Sequence, residues 1–245
     1  MGAFAFKAKF TYAAFVFASF YPGIACCDPF DLIPANPFKF ELVQPSSKPN
    51  SIFVFGGAMS TAGFADALVA NAFMGPHAAQ GHHFDNSIVG AAYDRDLYSL
   101  GHGLILGAEV GAADRFGDYQ SCCTTIVMSG STIHTGEFWG GPQIRYTGVD
   151  VFNMIHIGGA VTVGLSAVTG SIGREEDRVA SLHADAHLLY YLGPEIDLSI
   201  PSFPGVELVL KVQHRSGAKA LPFLPTLGRL EEAYNGDVIG IRYRF

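Results

Sequence analysis

Val206-Glu207-Leu208-Val209-Leu210-Lys211-Val212-Gln213-His214-Arg215-Ser216 is the stretch that decides the fold. On an extended chain successive side chains point to opposite faces, so Val206, Leu208, Leu210 and Val212 share one side. The period of two continues unbroken to the polar end, which places His214 and Ser216 on that same apolar side. In a soluble protein this side would be core, where two polar groups are costly. Facing lipid near the edge of a membrane, they are accommodated. The chain ends with Asp237, Ile239, Ile241, Tyr243 and Phe245 on one face and Val238, Gly240, Arg242 and Arg244 on the other. That is the pattern of the last strand of a bacterial outer-membrane barrel.

The composition agrees. Of 245 residues, 49% are hydrophobic and only 15% charged, and the mean hydropathy is positive. Beyond the N-terminus no run of about 18 apolar residues exists, which excludes helical spans there. A closed barrel is then the remaining way to pair every backbone group in hydrocarbon. The net charge of −7 argues against a nucleic-acid partner.

Lys7 and Lys9 precede an apolar stretch from Phe10 to Ala25, so residues 1–25 read as a signal peptide, with lipidation at Cys26 as the alternative. Residues 26–50, with five prolines, read as a periplasmic segment, and 51–245 as an all-β, eight-stranded antiparallel transmembrane barrel of the outer membrane. Cys26-Cys27 and Cys122-Cys123 are either bridged between separated sites or incidental thiols.

The eight expected strands start with Ser51–Ser60 and Phe84–Asp94, continue with segments around Leu104–Val110, Glu137–Tyr146, Ile155–Ser166, Leu188–Ile200 and Val206–Ser216, and end with Asp237–Phe245. Long connections (61–83, 113–136, 169–185, 217–235) alternate with short ones (95–100, 148–153, 201–204), as extracellular loops alternate with periplasmic turns. Phe64, Leu68 and Phe73 have helix-like spacing in the first long loop, which lies on the outer leaflet or is disordered. Eight strands leave room for side chains and no pore, so Glu109, Arg145, Glu195, Asp197, Glu207, Lys211, Arg242 and Arg244 are expected to pair inside. Ser166 is expected to face that interior. His77, His82 and His83 match no metal-ligand spacing, and neither a metal nor a cofactor is expected.

A tilted strand gains roughly 2.4 Å of height per residue, which carries His214 and Ser216 to the outer rim. A serine needs a base to take its proton, and a histidine two residues along a strand shares its face. Residues 206–217, followed by a loop and Asn235-Gly236-Asp237 through Phe245, resemble the end of the outer-membrane lipid A 3-O-deacylases and related acyloxyacyl hydrolase-type barrels. The resemblance implies an eight-stranded barrel that hydrolyses the acyl ester at position 3 of lipid A, with His214 as base and Ser216 as nucleophile of an outward-facing His-Ser-acid triad. It further implies lipopolysaccharide and outer-membrane lipids as partners and barrel-assembly machinery reading Phe245. The family has an asparagine after its serine where this chain has Gly217. Gly217, Asn235 or Gly236 are the remaining candidates for the oxyanion site.

Aligning the apolar belts of the last two strands sets Leu208 across from Tyr243 and His214 across from Asp237, which makes Asp237 the expected acid and Glu232 the alternative. Slipping that register by two residues presents Asn235 instead. The rival functional reading is a non-enzymatic small barrel serving adhesion or membrane integrity.

Overall fold

The computed structural model describes residues 48–60, 63–64, 84–117, 132–151, 154–200, 202–203, 205–217 and 225–245, with the backbone alone at 41–42 and 84–85. The expectations for the signal peptide, the cysteines, Leu68, Phe73 and the three loop histidines lie outside these residues. A two-residue strand, β1 (Glu41–Leu42), precedes eight long ones. These are β2 (Asn50–Ser60), β3 (Phe84–Gly101), β4 (Leu104–Gly117), β5 (Ile133–Val151), β6 (Ile155–Val168), β7 (Leu188–Ser199), β8 (Val206–Ser216) and β9 (Tyr234–Arg244). A helix, α1 (Arg174–Leu182), lies between β6 and β7.

Each of β2 to β9 pairs antiparallel with its sequence neighbour, and β9 closes onto β2. The fold is a closed eight-stranded antiparallel barrel of the outer-membrane type. β1 continues the edge of β3 beyond β2, with Glu41 opposite Ser99. At the short-turn end the closure is fastened by Phe245 N–H to Asn50 O at 2.9 Å and Arg244 N–H to Gly205 O at 2.8 Å.

The barrel is inside out relative to a soluble protein. Ile52, Val54, Val110, Phe138, Ile144, Val163, Ile239 and Ile241 are exposed, while charged side chains are buried. Leaving such a belt in water would forgo about 25 cal/mol per Å², a cost that lipid removes. Tyr98, Tyr146, Tyr243 and Phe245 are exposed toward the short-turn end, where aromatic side chains suit a membrane interface.

The expected interior pairing is present. Lys211 Nζ lies 2.5 Å from Glu109 and 3.2 Å from Glu195. Arg242 reaches Glu195 at 2.7 Å, Asp197 at 2.8 Å and Asp94 at 3.2 Å. Arg244 bonds Glu207 at 2.5 Å, and Arg145 takes Asp96. Ser166 is fully buried and donates to Glu137 at 2.8 Å.

Four expectations are corrected. Residues 95–100 are strand, not turn; the turn is at His102-Gly103. The charge-dense Asp94-Arg95-Asp96 reads as a loop only if a strand interior must be apolar, and here Asp94 and Asp96 point into a polar lumen. β4 and β5 likewise extend to Gly117 and Val151, into stretches read as connections. The stretch 169–185 holds a helix. Finally, β9 begins at Tyr234 and its register is slipped by two residues: Leu208 faces Ile241, Leu210 faces Ile239, Val212 faces Asp237 and His214 faces Asn235. An even slip keeps every side chain on its face, so the apolar pattern does not choose between the two registers.

Candidate active site on the lipid-facing rim

His214 and Ser216 stand on the outward face of β8 at the long-loop end, beyond Leu208, Leu210 and Val212. Leu192 of β7 lies across from His214, and Tyr190 across from Ser216. On the other side of His214 is Asn235, and His214 Nδ1 lies 2.7 Å from Asn235 Oδ1. Asn235 Nδ2 in turn donates to Glu232 Oε1 at 3.1 Å. A carboxylate only accepts, so the Asn235 NH2 must face Glu232 and its carbonyl oxygen must face the ring. That fixes the proton on His214 Nδ1 and leaves Nε2 as the basic nitrogen. This tautomer is the one a triad histidine uses, and asparagine serves as the orienting group in cysteine proteases.

Glu232 is itself held. Its Oε1 accepts the Phe64 N–H at 2.8 Å, and Arg178 of α1 donates to its main-chain oxygen and lies 3.6 Å from Oε2. Burial alone would push this carboxyl up; the hydrogen bonds from Asn235 and Phe64 and the Arg178 charge outweigh it and hold the group below its ordinary value. The Phe64 ring covers the His214 imidazole, centroids 4.6 Å apart, and packs against Val212.

The Ser216 hydroxyl donates to the Glu231 carbonyl at 2.5 Å. Gly217 is buried, its carbonyl accepts Leu227 N–H at 3.0 Å, and a Cβ there would overlap the carbonyl oxygens of Leu227 and Leu230. This is why the chain has glycine at that place: the loop returns too close for a side chain. Gly217→Asn is therefore expected to push the 227–230 segment outward and to detach Glu231 from Ser216. Amide exchange by mass spectrometry would then show faster exchange confined to 225–233, the barrel strands staying protected.

The structure thus brings His214, Asn235 and Glu232 together, with Ser216 beside them. Asp237 is not in this group; it faces Val212 on β8 and Ala58 on β2. Asn235 orients the ring, and one N–H of its amide is given to Glu232. Gly236 is paired with Gln213 in the same ladder. Phe64 and Arg178 were not anticipated as site residues. The first carried only a spacing signal within its loop, and the second was a charge in an apparently polar connection.

No protein family's sequence profile matches the chain, and no curated protein matches it. Among solved structures it is similar to Ail, the attachment invasion locus protein of Yersinia pestis, at 9% identity, covering 81% of this chain and 99% of that one, TM-score 0.36. It is similar also to Neisserial surface protein A at 12% identity, covering 80% and 96%, TM-score 0.40. The outer membrane protein OprG from Pseudomonas aeruginosa gives 12% identity, 81% and 97%, TM-score 0.33. The likeness is to small barrels; the fold itself stands on the closed strand pairing.

Proposed function

We propose that the protein is a serine-type ester hydrolase of the outer membrane, acting on the acyl ester at position 3 of lipid A in the outer leaflet. One observation supports the hydrolase reading: a histidine held in the basic tautomer by Asn235 and Glu232, on the lipid-facing side of β8, two residues from a serine; the position-3 ester of lipid A is the substrate that the resemblance of residues 206–217 and 235–245 implies. In the structure the Ser216 hydroxyl donates to the Glu231 carbonyl; on this reading it leaves that carbonyl for His214 Nε2 when substrate binds. The hydroxyl then attacks the acyl carbonyl as the imidazole takes its proton, and the same proton returns to the departing sugar oxygen. Water releases the acyl group from Ser216 by the same route. Glu232, hydrogen-bonded to Asn235 on the side away from the ring, supplies the negative charge that favours the imidazolium. Acyl chains of the leaflet already lie against this face, so substrate need not leave the membrane.

The slipped register gives a direct test with purified protein in micelles and lipid A, reading released fatty acid. Asp237→Asn is expected to stay within a few-fold of wild type, whereas Asn235→Ala and Glu232→Gln lose about a hundredfold. Equal loss in all three would remove the Asn235–Glu232 relay from the account.

A second reading, a non-enzymatic barrel serving adhesion or membrane integrity, has its own observation. The Ser216 bond to Glu231 O and the tight fit of Gly217 fasten the last loop to β8, which is a sufficient structural role for both residues. On that reading the three variants above would leave lipid A intact, as would wild type.

A further inference from the structure

We infer that α1 is a clamp on the candidate site and that Arg178 is a positioning residue, fixing Glu232 and through it the orientation of His214. The inference deepens the hydrolase reading and rests on it for the catalytic consequence only.

α1 has the sequence Arg174-Glu175-Glu176-Asp177-Arg178-Val179-Ala180-Ser181-Leu182. Glu175 is fully buried and enters the barrel mouth, where it accepts Arg115 Nη1 at 2.9 Å and also pairs with Arg215. Arg215 stands between His214 and Ser216 in sequence, so its side chain points inward where theirs point outward. It is gripped further by Ser166 Oγ at 3.0 Å and the Ala186 carbonyl at 2.7 Å. The backbone that carries both outward side chains is thus anchored from within by the helix.

Three residues later along α1, on the neighbouring face, is Arg178. It donates to the main-chain oxygen of Glu232 and lies 3.6 Å from the carboxylate. Between these two grips Val179 packs on the cluster of Leu189, Leu230 and Ala233. One short helix therefore holds β8 from the lumen and the start of β9 from outside.

The consequence is chemical. The charged groups facing the Glu232 carboxylate are Arg178 from α1 and His214 from β8, with Glu231 adjacent in the chain. Arg178 holds the carboxylate in place through these contacts, and its charge adds to the Asn235 and Phe64 hydrogen bonds that keep it ionised. A protonated or displaced Glu232 can donate as well as accept, and Asn235 is then free to present its NH2 to the ring. His214 would shift its proton to Nε2 and cease to be a base toward Ser216.

The test uses full-length 15N-labelled protein refolded in micelles, with the His214 imidazole signals assigned by His214→Gln. Wild type is expected to show a single neutral tautomer with the proton on Nδ1. Arg178→Met is expected to show mixed tautomers and a kcat for ester hydrolysis reduced about tenfold with KM within twofold; Arg178→Lys recovers most of both. A folded Arg178→Met protein with an unchanged His214 tautomer overturns the inference, whatever its activity. A shifted tautomer in a protein that never hydrolyses ester supports the clamp and removes the hydrolase reading instead. Where Arg178→Met does not fold, Glu232→Gln carries the same test: mixed tautomers are expected, and an unchanged one refutes the proposal.

Discussion

Ser216→Ala is expected to abolish ester hydrolysis, lowering kcat by about three orders of magnitude or more, while the barrel folds as before. The size follows from the proposed role: with Ser216 as nucleophile, loss of the hydroxyl removes the acyl intermediate, and the remaining groups act only on water. The hydroxyl donates a hydrogen bond to Glu231 O at 2.5 Å on a loop at the rim. Losing a bond of this kind costs about 1 kcal/mol, small against the closed ladder. Heat-modifiable gel migration and strand amide protection should therefore match wild type, and only the turnover of a fatty-acyl ester should collapse. A variant that hydrolyses at the wild-type rate removes Ser216 from the chemistry.

Arg242→Met is expected to have the largest effect on stability. Arg242 is 1% exposed and lies among Asp94, Glu195, Asp197 and Glu207, with its guanidinium 5.4 Å over the Phe53 ring. Methionine keeps much of the stem and the apolar contact but leaves four carboxylates with one cation fewer in a closed lumen. Breaking a buried pair by deleting one partner costs about 3–5 kcal/mol, because the charge left behind has no solvent. The urea midpoint in micelles should fall sharply, and Arg242→Lys should recover part of it, since lysine restores the charge without the bidentate geometry. A midpoint equal to wild type would mean that the interior network does not hold the barrel.

The barrel was legible because its alternation runs opposite to that of a soluble sheet. Leu208, Leu210, Ile239 and Ile241 outward and Glu207, Lys211 and Arg242 inward admit lipid outside and ion pairs within. The same rule put His214 and Ser216 on the rim. What the rule does not contain is register. His214 faces Asn235, not Asp237, because β9 starts at Tyr234, and alternation is blind to shifts of two. The helix was hidden for a related reason. Arg174-Glu175-Glu176-Asp177-Arg178 reads as a solvated loop, and only a polar lumen turns Glu175 into a buried anchor for Arg115 and Arg215. Glu232 reads from the sequence as the alternative carboxylate for the ring, but its link through Asn235 exists only in three dimensions, since residues 64, 178, 232 and 235 meet only in the folded chain.

The proposed reaction is cleavage of an acyl ester of lipid A by this outward-facing histidine and serine. Its most direct test is mass spectrometry of lipid A from cells expressing wild type, cells expressing Ser216→Ala, and cells lacking the gene. Lipid A from wild-type expression is expected to be lighter by one ester-linked acyl chain, and the other two samples to share the unmodified mass. Identical lipid A in all three, with the wild-type barrel folded in the outer membrane, would contradict it.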